Sequence, residues 1–204
     1  MSETKRNIFS RFWNFLKEDS WSSFIVSLIL AFIIIKFVFF PLLSFVTGTP
    51  LPLVIVESCS MYHSGGFQEI FNKQGICPNG LSCSEEELYG QFNISLEDTQ
   101  TWGFKNGINK GDIIFVISPK NLEVGDVAIF LAGTTNPIIH RTISINSEKI
   151  TTKGDNNLGL LSVEQNVNRD NVLGKAVFRI PYLGWFKLIF YDWKKPASER
   201  GLCD

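Results

Sequence analysis

The pattern of apolar and polar positions changes character along this chain. Ile8, Phe9, Phe12, Trp13, Phe15 and Leu16 recur at helical spacing among polar residues, which predicts a short amphipathic helix lying on a membrane face. Trp21 to Val46 is then a 26-residue apolar run holding one charge, Lys36. Crossing a hydrocarbon core takes about 20 such residues, so this run is expected to span with some tilt. Pro41 should kink or end that helix, and Gly48, Pro50 and Pro52 read as its exit linker. A cleaved signal peptide fits less well, because its apolar core is usually only ~7–15 residues long. Lys36 is expected to snorkel towards the outer interface.

Beyond the linker the period drops to that of strands. Leu53–Glu57, Asp112–Ile117, Asp126–Leu131, Ile138–Ile145, Lys149–Lys153 and Val172–Ile180 are short runs rich in β-branched and aromatic residues, bounded by Gly, Asn, Pro or Asp. That is the signature of a mainly antiparallel β domain. Residues 64–109 break the pattern and read as an insertion of two short helices and loops, with Ser84-Glu85-Glu86-Glu87 as a capped helix start. Ile180 to Trp193 is apolar and aromatic but interrupted by Pro181 and Lys187. It is expected to dip into a membrane surface rather than cross it. The organisation is thus a cytoplasmic segment 1–20, a span 21–46, a β domain 47–193 and a polar, mobile tail 194–204.

Charge then orients the chain. Lys5, Arg6, Arg11 and Lys17 precede the span, whereas residues 47–60 contain no Lys or Arg, so the β domain is expected outside the cytoplasm. The expected location is a cell membrane or an endoplasmic-reticulum membrane, crossed once. A net charge of −1 gives no basic face of the kind nucleic acid requires, so no nucleic-acid partner is expected. The four cysteines are Cys59, Cys77, Cys83 and Cys203. The Cys77–Cys83 pair on the outer side favours a small disulfide over a metal site, since no histidine lies beside it. No metal and no cofactor is expected. Asn93-Ile94-Ser95 is a glycosylation triplet in the right compartment.

The candidate chemistry rests on few residues. Ser60 follows the first strand, in Glu57-Ser58-Cys59-Ser60-Met61, and the chain has only two histidines, His63 and His140. A serine hydroxyl needs an adjacent base, usually oriented by a third group. Alternation along Ile138–Ile145 puts His140 on the face of Thr142 and Ser144, where it can line a cleft. Cys59 is a nucleophile type too, but Ser60 has the better context. Asp155, in the turn Gly154-Asp155-Asn156-Asn157 after Lys149–Lys153, is a carboxylate able to hold an imidazole in one tautomer.

Taken in order, these pieces resemble the type I signal peptidases, in the archaeal and endoplasmic-reticulum branch that uses Ser and His. The matching segments are Glu57-Ser58-Cys59-Ser60-Met61, Lys110-Gly111-Asp112-Ile113-Ile114-Phe115, Gly125-Asp126-Val127-Ala128-Ile129-Phe130, Ile139-His140-Arg141, Lys153-Gly154-Asp155-Asn156-Asn157 and Val172-Leu173-Gly174-Lys175-Ala176. The bacterial branch carries Lys where His140 stands. The chain departs from the family at Cys59 and His63, where Gly and Pro are usual, and at Leu160 and Leu161, where aspartates are common. The insertion also exceeds that of compact members.

The resemblance implies a membrane-anchored serine endopeptidase that removes signal peptides from exported preproteins. Ser60 would be the nucleophile and His140 the base, with Asp155 as acid and Asp170 as the alternative. Backbone N–H groups near Ser60, helped by the Ser58 hydroxyl, would meet the oxyanion, and substrate would pair as an added strand beside Leu53–Glu57. Partners would be preprotein signal peptides, membrane lipid and the protein-export channel. Two readings compete: a self-cleaving repressor-type peptidase, disfavoured by the span, and a non-catalytic anchored β domain that binds preproteins or translocation partners.

Overall fold

The computed structural model describes residues 2–77, 80–133 and 136–203, with side chains from Ile8 onward. Lys5 and Arg6, counted above among the N-terminal charges, lie outside the described side chains. The chain divides into two units, Met1–Val46 and Thr47–Asp204.

The first unit is helical. Helix α1 covers Ser2–Leu16. Helix α2, Trp21–Ile34, is capped by Ser20, whose hydroxyl accepts the Ser23 N–H at 3.1 Å. It passes through a π-helical turn, Ile35–Phe39, into α3, Phe40–Thr47. Pro41 explains the turn. It has no N–H to donate and its ring crowds the preceding carbonyls, so the ladder slips by one residue and Phe40 N–H donates to Ile35 C=O. The expected kink is a register slip inside a continuous helix. Trp21–Thr47 spans 27 residues with a mean hydropathy of 2.7 in its most apolar window, long and apolar enough to cross a membrane. A signal sequence near an N-terminus has the same properties.

The second unit is built on a seven-stranded antiparallel sheet in the order β1-β4-β9-β5-β6-β7-β8. Its strands are β1 (Leu53–Ile55), β4 (Ile113–Ile117), β5 (Val127–Phe130), β6 (Ile138–Ile145), β7 (Lys149–Lys153), β8 (Val167–Asn168) and β9 (Val172–Ile180). Strand β5 is buried along its whole length because both its faces carry core. Val127 and Ile129 join Val54, Val56, Met61, Ile114 and Val116 on one side, while Ala128 and Phe130 join Ile150, Val167 and Val172 on the other. Two apolar faces on one strand follow from the two-residue period.

Residues 64–109 hold more structure than the pattern suggested. Among the described residues there, three short helices, α4 (Phe67–Phe71), α5 (Glu85–Gly90) and α6 (Leu96–Thr99), accompany a hairpin of β2 (Gln74–Ile76) with β3 (Ser82–Ser84). Strands of three residues are too short for alternation to announce them. The hairpin is closed by the Cys77–Cys83 disulfide. Helix α5 begins at the anticipated capping box, Ser84 with Glu87. Phe67, Ile70, Phe71 and Tyr89 pack with Ile143 of β6, so the insertion covers one face of that strand. Helix α7, Trp185–Leu188, follows β9.

Candidate active site

Ser60 sits in a turn anchored at both ends by core. Val56 is buried and bonded to the β4 approach, Val56 N–H to Asp112 C=O at 2.9 Å and Gly111 N–H to Val56 C=O at 2.8 Å. Gly111 adopts φ +87, and any Cβ there would lie 2.1 Å from the Trp185 ring, so only glycine fits. On the far side Met61 is 1 % exposed and its carbonyl accepts from Ile108. Between the anchors the chain closes on itself, Tyr62 N–H to Cys59 C=O at 3.0 Å, leaving Ser60 half-buried and Ser58 exposed. Asn156 clamps the turn, its N–H donating to Ser60 C=O at 2.8 Å and its side-chain amide to Cys59 C=O at 3.2 Å.

His140 comes from β6, held opposite Ala128 of β5. Its Nε2 lies 2.9 Å from Ser60 Oγ, and its Nδ1 lies 2.6 Å from Oε1 of Glu164. The Ser58 and Ser60 hydroxyls are 3.2 Å apart. Glu164 ends the 3₁₀ turn Ser162–Glu164 and is fully buried. Gly154 N–H donates to its Oε1 at 2.8 Å and Leu161 N–H to its Oε2 at 2.6 Å. Burial pushes the Glu164 carboxyl up, but His140 and these two amides outweigh it and hold it below the ordinary value. Glu164 Oε1 beside Nδ1 favours the tautomer with its proton on Nδ1, which leaves Nε2 as acceptor for the Ser60 hydroxyl. Gly154 is part of the same packing, because a Cβ there would lie 2.9 Å from His140 Nε2 and 2.5 Å from the Asn157 amide nitrogen.

The acid partner therefore differs from both sequence candidates. Asp155 was expected at His140, but it belongs to Arg141. Successive residues of a strand point to opposite faces, so a carboxylate meeting Arg141 is turned away from its neighbour His140. Arg141 Nε donates to Oδ1 at 2.9 Å and Nη2 to Oδ2 at 2.7 Å, a buried two-pronged pair. Its remaining donors reach the carbonyls of Gly103, Gly125 and Phe104. The guanidinium also lies over the rings of Phe67 and Trp102. Burial raises the Asp155 carboxyl, while Arg141, and then His63, lower it to a net position below its ordinary value. Asp170 is exposed at the start of β9, and β5 lies between β9 and β6, which takes it out of reach. His63 is buried against Asp155, Nε2 to Oδ2 3.5 Å, with Nδ1 bonded to Gly65 C=O.

Glu164 is the only acidic residue between Asp155 and Asp170, a signal that fixed-offset reasoning passed over. Also unforeseen is the fate of Cys59, which is joined to Cys203 by a disulfide and has no thiol to offer. The tail after Lys194, expected to be mobile, folds back with Cys203 buried. Among the described residues no group of three or more His, Cys, Asp or Glu side chains is placed to hold a metal ion.

Chemically, the arrangement is a hydroxyl, an imidazole and an ionised carboxylate in series, with only the hydroxyl end open to solvent. Such a series lets the base take the hydroxyl proton during attack and return it to a leaving group. Comparison with family models and with curated proteins found no match to either.

Proposed function

We propose that the protein is a membrane-anchored serine endopeptidase of signal-peptidase type, removing signal peptides from exported preproteins. The observation that carries the reading is the contact of Ser60 Oγ with His140 Nε2 at 2.9 Å, backed by Glu164 at 2.6 Å from the other ring nitrogen. Ser60 Oγ attacks the carbonyl of the scissile bond while His140 takes its proton, then passes that proton to the leaving amine; water enters by the reverse path to free the acyl-enzyme. Glu164 keeps the imidazole in its productive tautomer and stabilises the imidazolium. The tetrahedral oxyanion would be met by the Ser60 N–H and by the Ser58 hydroxyl, which lies 3.2 Å from Ser60 Oγ.

The sheet edge supports an extended substrate. Pro52 and Val56 direct their backbone bonds to the β4 side, so Leu53 and Ile55, one residue out of phase, present theirs on the outer side. Among the described residues no strand pairs with that side of β1. A peptide added there runs towards the Ser60 turn. The apolar helix Trp21–Thr47, read as a span with the β unit outside the cytoplasm, confines enzyme and membrane-delivered substrate to one plane and raises their effective concentration. Exposed Tyr182, Phe186, Ile189, Phe190 and Trp193 suit a segment that rests in a membrane interface.

The test is cleavage of a synthetic preprotein by the full chain in detergent. Ser60→Ala should lower turnover by at least ~1,000-fold, the scale on which loss of a nucleophile acts, with membrane insertion intact. Activity above a tenth of wild type would remove Ser60 from the mechanism.

A further inference from the structure

The C-terminal residues form a strap that closes on the Ser60 turn. Fully buried Lys110 holds the strap at its base, its Nζ 2.5 Å from Asp192 Oδ1 and donating to Glu199 C=O at 2.6 Å. The strap is braced internally, Gly201 N–H to Asp192 Oδ2 at 2.8 Å and Arg200 Nε to Lys195 C=O at 2.6 Å. It then grips the turn at two points. Lys195 Nζ donates to Glu57 C=O, and Cys203 is bonded to Cys59, the residue immediately before Ser60, across a sequence separation of 144. Asn156 holds the opposite side of the same turn. Ser60 is thus set by a clamp of which one jaw is covalent.

We propose that this strap is a positioning element for Ser60 and that the Cys59–Cys203 disulfide makes nucleophile geometry redox-dependent. The inference rests on the peptidase reading for its catalytic consequence but not for its structural one. In the oxidised form the turn holds Ser60 Oγ on His140 Nε2. A dithiol supplies two electrons and two protons, leaves as its own cyclic disulfide, and converts the bridge to two thiols. Cys59 is half-buried, within reach of a small dithiol. Once the bridge opens, the polar contacts of Lys195 and Lys110 still hold the strap, but its covalent tie to the turn is gone and the turn loosens about Ser60. Proton transfer depends steeply on the spacing of its partners, and a displacement of about 1 Å can cost ~100-fold. A chain made on the reducing side of a membrane would therefore carry a slack nucleophile until the strap is oxidised on the other side.

The two disulfides make the experiment selective, because Cys77–Cys83 closes only a short hairpin whereas Cys59–Cys203 ties the turn to the strap. Full-length wild type, C59S/C203S and C77S/C83S are compared in detergent, the wild type also after dithiol treatment and after reoxidation. Backbone hydrogen exchange is measured at residues 57–62 and across β4, β5 and β6, and kcat and KM on a synthetic preprotein. Reduction and C59S/C203S should speed exchange at 57–62 and in 195–203, leave the sheet protected, and lower kcat at least ~10-fold with KM nearly unchanged. Reoxidation should restore the wild type, and C77S/C83S should behave as oxidised wild type. Unchanged exchange at 57–62 on reduction overturns the proposal. Unchanged kcat in an active enzyme does the same, and so does a loss confined to KM or shared by C77S/C83S. If wild type cleaves nothing the peptidase reading fails, and exchange alone then decides whether the clamp exists. If C59S/C203S does not fold, reduction of folded wild type supplies the same comparison.

Discussion

The two faces of β6 carry the same kinds of group and put them to opposite uses. On one face His140 meets Ser60 and Glu164; on the other Arg141 meets Asp155, with His63 behind it. Both hold a buried carboxylate below its ordinary value. The difference lies in what remains unsatisfied. Arg141 has every donor met by a carboxylate or a carbonyl, so that knot is closed to solvent and ties the insertion to the sheet. The His140 series ends at a half-buried hydroxyl with an acceptor nitrogen beside it. Burial and charge alone do not mark a reactive site; an open end to a proton chain does.

The contrast is broken most severely at the acid. Glu164→Gln keeps the shape but can stabilise the wrong imidazole tautomer, and on the proposed reading turnover should fall ~1,000- to 10,000-fold with little change in KM, the scale on which a triad acid acts. Asp170→Ala should be indistinguishable from wild type in the same assay. If Asp155→Asn instead matches the Glu164→Gln loss in kcat while melting like wild type, the roles of the two faces are reversed.

Asp155→Asn tests the other face through stability. Removing one partner of a buried pair strands the other charge, at a cost of about 3–5 kcal/mol, to be read by chemical denaturation. Sensitivity to acid has a definite sign. Carboxylates held below their unfolded values contribute stability in full above the unfolded range of about 4 and lose it as pH falls through their lower folded values. Wild type should therefore lose stability steeply on acidification below that range, and Asp155→Asn should show a flatter acid limb. An unchanged limb would mean that Asp155 is not ionised in the knot.

A smaller effect is expected at the junction of the faces. Gly154→Ala places a methyl 2.9 Å from His140 Nε2, on the atom that must face Ser60. Turnover should fall about 10- to 100-fold, the range a displacement of up to 1 Å commands, while the melting temperature moves by only a few degrees, as for a ~1 kcal/mol change. A melting loss as large as that of Asp155→Asn would place Gly154 in the structural knot instead.

Much of this was legible in the chain itself. The strands β6, β7 and β9 fall where β-branched alternation put them, because side chains on a half-buried sheet repeat every two residues whatever the rest of the fold does. The capping box at Ser84 and the disturbance at Pro41 are likewise local, each set by hydrogen-bonding groups within a turn of the chain. The pairing of Ser60 with His140 was foreseeable because with only two imidazoles there was almost nothing else to choose.

What the tertiary structure alone decided are the long-range partners. The hairpin β6–β7 carries a register shift between Thr142 and Ser144, and periodicity does not report such a slip. Asp155 goes to Arg141 because that register sets Arg141 opposite Lys153, at the end of the hairpin where Asp155 follows. Glu164 reaches His140 because the 3₁₀ turn after Leu161 brings it back under Gly154. Cys59 meets Cys203 across nearly three quarters of the chain. Each depends on where distant segments are brought by burial of the two cores, whereas periodicity and capping reach no further than neighbouring turns.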